Sequence, residues 1–238
     1  MTQEKIVAIV QSNYLPWKGY FDLIRSSDIF VLYDDVQYTK RDWRNRNLIK
    51  TVHGPLWLSI PVRVKGRYQQ RIRDVEIADT DWAEQHWRSI ELAYSKAPGF
   101  ADIAPTLKTT LEKCADMNHL SEVNRLLIEQ ICSLLGINTP IIGSHELSRV
   151  DGRSENLLNL CRALNGTTYL SGPSAQNYLD EALFEKAGVR VRYMDYFGYP
   201  EYPQLHPPFD HHLSIVDLLL CTGHGAGRYL ERTPALAS

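Results

Sequence analysis

Two short, continuously apolar runs, Ile6–Gln11 (IVAIVQ) and Ile29–Tyr33 (IFVLY), bracket a helical pattern over Gly19–Arg25. Runs without polar alternation suit strands buried on both faces of a parallel sheet. Strand, helix and strand within about 30 residues form one βαβ unit, expected to be right-handed. Downstream, Thr139–Gly143, Thr167–Leu170 and Val189–Tyr193 read as further strands, alternating with helices over 154–164 and 178–187. The chain is therefore expected to be α/β, with a mainly parallel sheet flanked by helices. Trp57–Val62 reads as another strand and Arg73–Ile77 as an edge strand.

The middle of the chain is helical. Asp81 and Glu84 have capping-box spacing ahead of a helix to about Lys96, followed by helices over Pro105–Asp116 and Ser121–Leu135. No repeat or linker interrupts the chain. The expectation is a single α/β domain over 1–238, with 81–135 as a helical insertion or subdomain.

Composition removes several function classes. The 238 residues carry 26 Lys and Arg against 28 Asp and Glu, a net charge of −2, and 44% are hydrophobic. That supplies a core, and near-neutral charge argues against a nucleic-acid coat. The apolar stretch Ile6–Val10 is shorter than a signal peptide requires, and no run reaches membrane-spanning length, so a cytoplasmic protein without a membrane span is expected. Cys114, Cys132, Cys161 and Cys221 are far apart among apolar positions, the pattern of buried free thiols. No P-loop, nucleophile elbow, zincin or dinucleotide fingerprint occurs in its required context.

Ligands of parallel sheets bind beyond the carboxyl ends of the strands. After the first strand come Gln11, Asn13, Lys18, Gly19 and Tyr20, donors and a glycine at a helix start suited to an anion. After the second come Asp34 and Asp35, then a loop in which Lys40, Arg41, Arg44 and Arg46 outnumber Asp42. Arginine forks suit phosphate, and Tyr38 or Trp43 offers a ring for stacking. After the strand at 167–170 come Ser171, Gly172 and Ser174. His206, His211 and His212 cluster late in the chain; their spacing fits no zinc motif, so no metal site is assigned, and His206 is a candidate general base. His53, His86, His119, His145 and His224 stand singly and read as ordinary.

The order IVAIVQSNYLPWKGYFDLI, DIFVLYDDVQYTKRDWRNRNLI, WLSIPV, TTYLSGPSAQNYLD and LSIVDLLL resembles the WbqC-like protein family over nearly the whole chain. Gln11, Pro16, Gly19, Tyr20, Asp34, Asp35, Lys40, Arg46, Asn47, Ser171, Gly172 and Tyr178 match its pattern; His211 and His212 have no place in it. The family is associated with bacterial O-antigen and surface-polysaccharide gene clusters. The resemblance implies work on an activated sugar or its attached group. The layout is more distantly similar to nucleotidylyltransferases and pantothenate synthetase-like ligases, whose HxGH motif falls at Trp17-Lys18-Gly19-Tyr20 with both histidines replaced.

Three functions follow as expectations. One is a transferase that moves an acyl or aminoacyl group from an activated donor to a nucleotide-linked amino sugar, with Asp34, Asp35 or His206 as base. The second is an enzyme using ATP with magnesium, a nucleotidylyltransferase or amide ligase. The third is a non-catalytic sugar-nucleotide-binding or scaffold protein. The first holds the diphosphate of a phosphate-bearing small molecule through Lys40, Arg44 and Arg46 with Tyr38 or Trp43 stacked on the ring, and Asn47 counts among the ligand-binding candidates.

Overall fold

A computed structural model describes residues 4–232. Five parallel strands form the main sheet: β1 (Ile6–Val10), β2 (Ile29–Leu32), β5 (Ile141–Gly143), β6 (Thr168–Ser171) and β7 (Arg190–Tyr193). Their order is β5-β2-β1-β6-β7, so the chain builds outward from β1 on one side and then returns to the other. The α/β expectation holds. Such a reversal leaves a crevice where the loops after β1 and β6 part in opposite directions.

Alternation along the buried strands divides the core between the two faces. Val7, Ile9, Val31 and Tyr169 pack against Leu157, Leu160 and Cys161 of α5 (Arg153–Ala163) and Phe184 of α6 (Glu181–Lys186). Ala8, Phe30, Leu32 and Leu170 belong to the larger core on the other face. There lie α1 (Lys18–Arg25), α2 (Trp82–Tyr94), α3 (Phe100–Ala115), α4 (Leu120–Leu134) and α7 (Ile215–Thr222). The helical stretch at 81–135 thus shares its apolar core with the sheet. All four cysteines are buried and free, and burial pushes each thiol up to about 12.

Four local expectations are revised. Residues 46–59 form an antiparallel hairpin, β3 (Arg46–Thr51) with β4 (Gly54–Ser59), in place of the single strand expected from Trp57 onward. Arg46, which sequence groups with the basic loop, already belongs to β3. In place of the edge strand expected at 73–77 stands a 3-10 turn over Ile72–Asp74, followed by single bridges at Glu76 and Ile77. Asp81 stands at the N-cap of α2 without a side-chain cap bond. Helix α3 starts five residues ahead of Pro105, which lacks the amide to close one helical hydrogen bond. No helix among the described residues is long and apolar enough to cross a membrane.

Candidate functional site

Parallel strands bring the loops after β1, β2 and β5 to one edge of the sheet. The two adjacent carboxylates after β2 separate there, as extended geometry requires. Asp34 is buried and accepts the Ser12 N–H at 2.8 Å. Burial raises its pKa, opposed by hydrogen bonds from Ser12 and by the positive charge of Arg44. Asp35 accepts the Ser144 hydroxyl at 2.6 Å and pairs with Arg73 at 3.1 Å. Asp35 ties β2 to the segment after β5, while Asp34 carries the carboxyl group that its surroundings push toward the neutral form.

Asp34 lines a cleft of about 420 Å³ together with Arg73, Arg125, His119 and His145. Arg125 is braced by Glu129 at 2.8 Å and by Glu146 at 3.3 Å. Asp74 and Glu122 add carboxylates to the rim. The cleft therefore offers both signs of charge and two imidazoles around one buried acid. His119 and His145 read as ordinary in the sequence. His145 lies two residues past the carboxyl end of β5, the rule that singles out Asp34, whereas His119 arrives from the start of α4 with no local signal.

Behind Asp34, Arg44 locks the loop after β1. Its Nη1 donates to the carbonyls of Gln11 at 3.4 Å and Ser12 at 3.2 Å and to Asn13 Oδ1; Nη2 lies 3.6 Å from Asp42. Burial is the largest influence on this guanidinium and lowers its pKa, with Asp42 opposing. Asn124 of α4, fully buried, donates to Ser12 Oγ at 3.0 Å and to the Arg44 carbonyl at 2.9 Å. Tyr20 donates to the Gln11 carbonyl at 3.1 Å. Asn47 donates to the Tyr14 and Leu15 carbonyls at 3.2 and 2.8 Å, which helps hold Leu15 at φ 42°, a left-handed conformation costly for leucine.

The other cations of the basic loop take separate partners. Lys40 stands 5.1 Å over the Tyr68 ring; Arg46 lies 4.3 Å over Trp57 and donates to the Arg41 carbonyl. Trp43 and Trp57 meet at 5.6 Å and are 41% and 43% exposed. Tyr38 is buried and donates to Asn45 at 2.9 Å, so its ring is not offered to solvent.

Lys18 is also committed elsewhere. It donates to His211 Nδ1 at 2.8 Å and is 2% exposed. A Cβ on Gly19 would run into the Trp17 ring, so packing requires that glycine. Ser171 is buried and accepts from Tyr169 at 3.3 Å; Gly172 faces Tyr196 across the β1/β6 crevice. Ser174 lies exposed on a 3-10 turn over Pro173–Asn177, and Asp180, not Ser174 or Asn177, caps α6. His206 donates to the Ala93 carbonyl at 3.0 Å and lines a different cleft, beside the β3–β4 turn. Among the described residues, no three His, Cys, Asp or Glu side chains come together as a metal site.

Fold and site define a parallel α/β protein with a mixed-charge cleft around a buried acid at the carboxyl edge of its sheet. The pattern of the WbqC-like protein family matches residues 11–229, and the chain belongs to that family. It is similar to the uncharacterized protein Rv1507c of Mycobacterium tuberculosis (strain ATCC 25618 / H37Rv), with 51% identity over 227 residues, 95% of this chain and 98% of the relative. No solved structure matches it.

Proposed function

We propose that the protein is a transferase that moves an acyl or aminoacyl group from an activated donor to the amine of a nucleotide-linked amino sugar. It would act in the cytoplasm, in the assembly of a bacterial surface polysaccharide. The observation that carries this reading is Asp34, a buried carboxyl with a raised pKa in a cleft that also presents Arg73 and Arg125. A base for an amine must lie within hydrogen-bond reach of the reacting nitrogen, and works best with a pKa moved toward neutrality. Arg73 and Arg125 suit the diphosphate, and the rim carboxylates Asp74 and Glu122 suit an ammonium group before it is deprotonated.

In the transfer, the amine nitrogen bonds to the acyl carbon and the bond from that carbon to the donor's leaving group breaks. An ammonium first gives one proton to solvent; the proton that the nitrogen sheds on acylation passes to Asp34, and the leaving group departs with the bonding pair. Asp35 holds Arg73 in place through its 3.1 Å ion pair, a positioning role. The ATP-using alternative needs a cation for phosphates at the start of α1. Lys18, the cation there, is 2% exposed and bonded to His211.

Thermal unfolding against a ligand panel tests the proposal. Amine-bearing sugar nucleotides at about 100 times Kd should stabilise the protein by about 2.7 kcal/mol. Arg73→Ala and Arg125→Ala should remove that protection. Protection by ATP with magnesium and none by any sugar nucleotide would overturn the proposal.

A further inference from the structure

After β7 the chain runs from Asp195 to Leu213 without regular secondary structure, as a strap from the carboxyl edge of the sheet to α7. Its ends are fixed by backbone. The Met194 N–H donates to the Ser171 carbonyl at 2.8 Å, and the Ser214 N–H to the Leu48 carbonyl at 2.8 Å. Between them, buried side chains do the holding. Tyr199 donates to Asp22 of α1 at 2.7 Å, and Tyr202 to Asp217 of α7 at 2.7 Å. Lys50 of β3 reaches Gln204 at 3.2 Å and the Pro208 carbonyl.

Five further contacts of the strap converge on Lys18 of α1. Its ammonium lies 5.1, 5.4 and 5.8 Å from the ring centres of Tyr199, Tyr202 and Phe209. It donates to His211 Nδ1 at 2.8 Å and, at 3.5 Å, to the Pro200 carbonyl. Tyr196 of the strap covers Gly172 and packs on Trp17 at 5.0 Å, which closes the β1/β6 crevice. None of these contacts enters the transfer chemistry above.

We propose that Lys18 and His211 form an acid-released latch, closed while His211 is neutral and opened when it takes a proton, so that the strap lifts from the β1/β6 crevice. A neutral imidazole accepts the lysine's hydrogen bond at Nδ1. Protonation turns that nitrogen into a donor and sets two cations 2.8 Å apart.

The groups facing His211 are Lys18 from α1 and Glu201, Asp210 and His212 on the strap; Asp217 of α7 faces Lys18. Burial and Lys18 hold the His211 pKa below its ordinary 6.5, with Glu201 and Asp210 opposing. Burial also lowers Lys18 to about 8. The closed state therefore binds fewer protons than the open one. Closure is complete above the open-state pKa of His211, about 6.5, and is lost as pH falls through the lower closed-state value. The Lys18 shift acts at alkaline pH and leaves the acid window to His211.

Hydrogen exchange of the full chain at pH 7.5 and pH 5.0, corrected for the intrinsic pH dependence, tests the latch. Peptides covering 195–213 should lose protection in acid, about tenfold for each unit by which closure lowers the His211 pKa, while β1 and β2 stay protected. His211→Gln, which still accepts from Lys18 but does not titrate, should abolish the acid response, and His212→Gln should keep it. In the wild-type protein, the midpoint of strap opening should coincide with the imidazole titration of His211 followed by NMR. An unaltered acid response in His211→Gln, no response in the wild type, or two separate midpoints would each overturn the proposal.

Discussion

Asp34 and Asp35 show how neighbouring residues of one type acquire different work. Asp35 is neutralised by Arg73 and bonded to Ser144, so its charge is spent on structure. Asp34 is buried with a raised pKa. Its folded state holds the proton more tightly than the unfolded chain, so stability falls as pH rises from about 3.8 through the raised value, and the ionised group is a cost at neutral pH. Asp34→Asn keeps an oxygen for the Ser12 N–H and removes that charge. The variant should lose transfer activity while its melting temperature at pH 7 stays level or rises by about 2–4 °C, the scale of 1 kcal/mol in a protein of this size. Calorimetry and a product assay on the same sample check both halves. A destabilised Asp34→Asn variant with full turnover would remove Asp34 from the role of base.

At the level of elements, the segments after β1 and β6 look alike in sequence, each with a proline and a glycine at the start of a helical stretch, yet they are built differently. Gly19 is pressed against Trp17, whereas a Cβ on Gly172 would come no closer than 3.6 Å, to the Tyr196 hydroxyl. Gly19→Ala should therefore cost about 1–3 kcal/mol in urea denaturation, and Gly172→Ala no more than about 0.5. Equal costs would contradict the packing described for α1.

The same elements mark how far sequence reaches. The central strands β1 and β2 were legible because burial on both faces leaves uninterrupted apolar runs, IVAIV and IFVL, whereas β7, RVRY, is legible by alternation at the sheet's edge. The β3–β4 hairpin was not. Its first strand begins with Arg46 and Asn47, polar residues whose partners, Trp57 and the Tyr14 and Leu15 carbonyls, are distant in sequence. The carboxyl-edge rule found Asp34 from its strand. It did not place Arg73, His119 and Arg125 in the same cleft, because they reach it from a 3-10 turn and from around the start of α4. Arg44 was legible as a cation, but its burial against the Gln11 and Ser12 carbonyls depends on tertiary packing.

Across the whole molecule, the net charge of −2 averages over regions of very different balance. The cations concentrated at 40–46 do not meet at one point: Arg44 turns inward to the sheet, while Lys40 and Arg46 rest on aromatic rings. The guanidiniums that share a cleft with the buried acid are Arg73 and Arg125, and this is where the proposed transfer puts the diphosphate. A crystal structure of the protein soaked with the amine-bearing sugar nucleotide that protects it best tests this location directly. The account predicts diphosphate density on Arg73 and Arg125, with the sugar amine within hydrogen-bond reach of Asp34. Density on Lys40 and Arg46, or an amine turned away from Asp34, would contradict it.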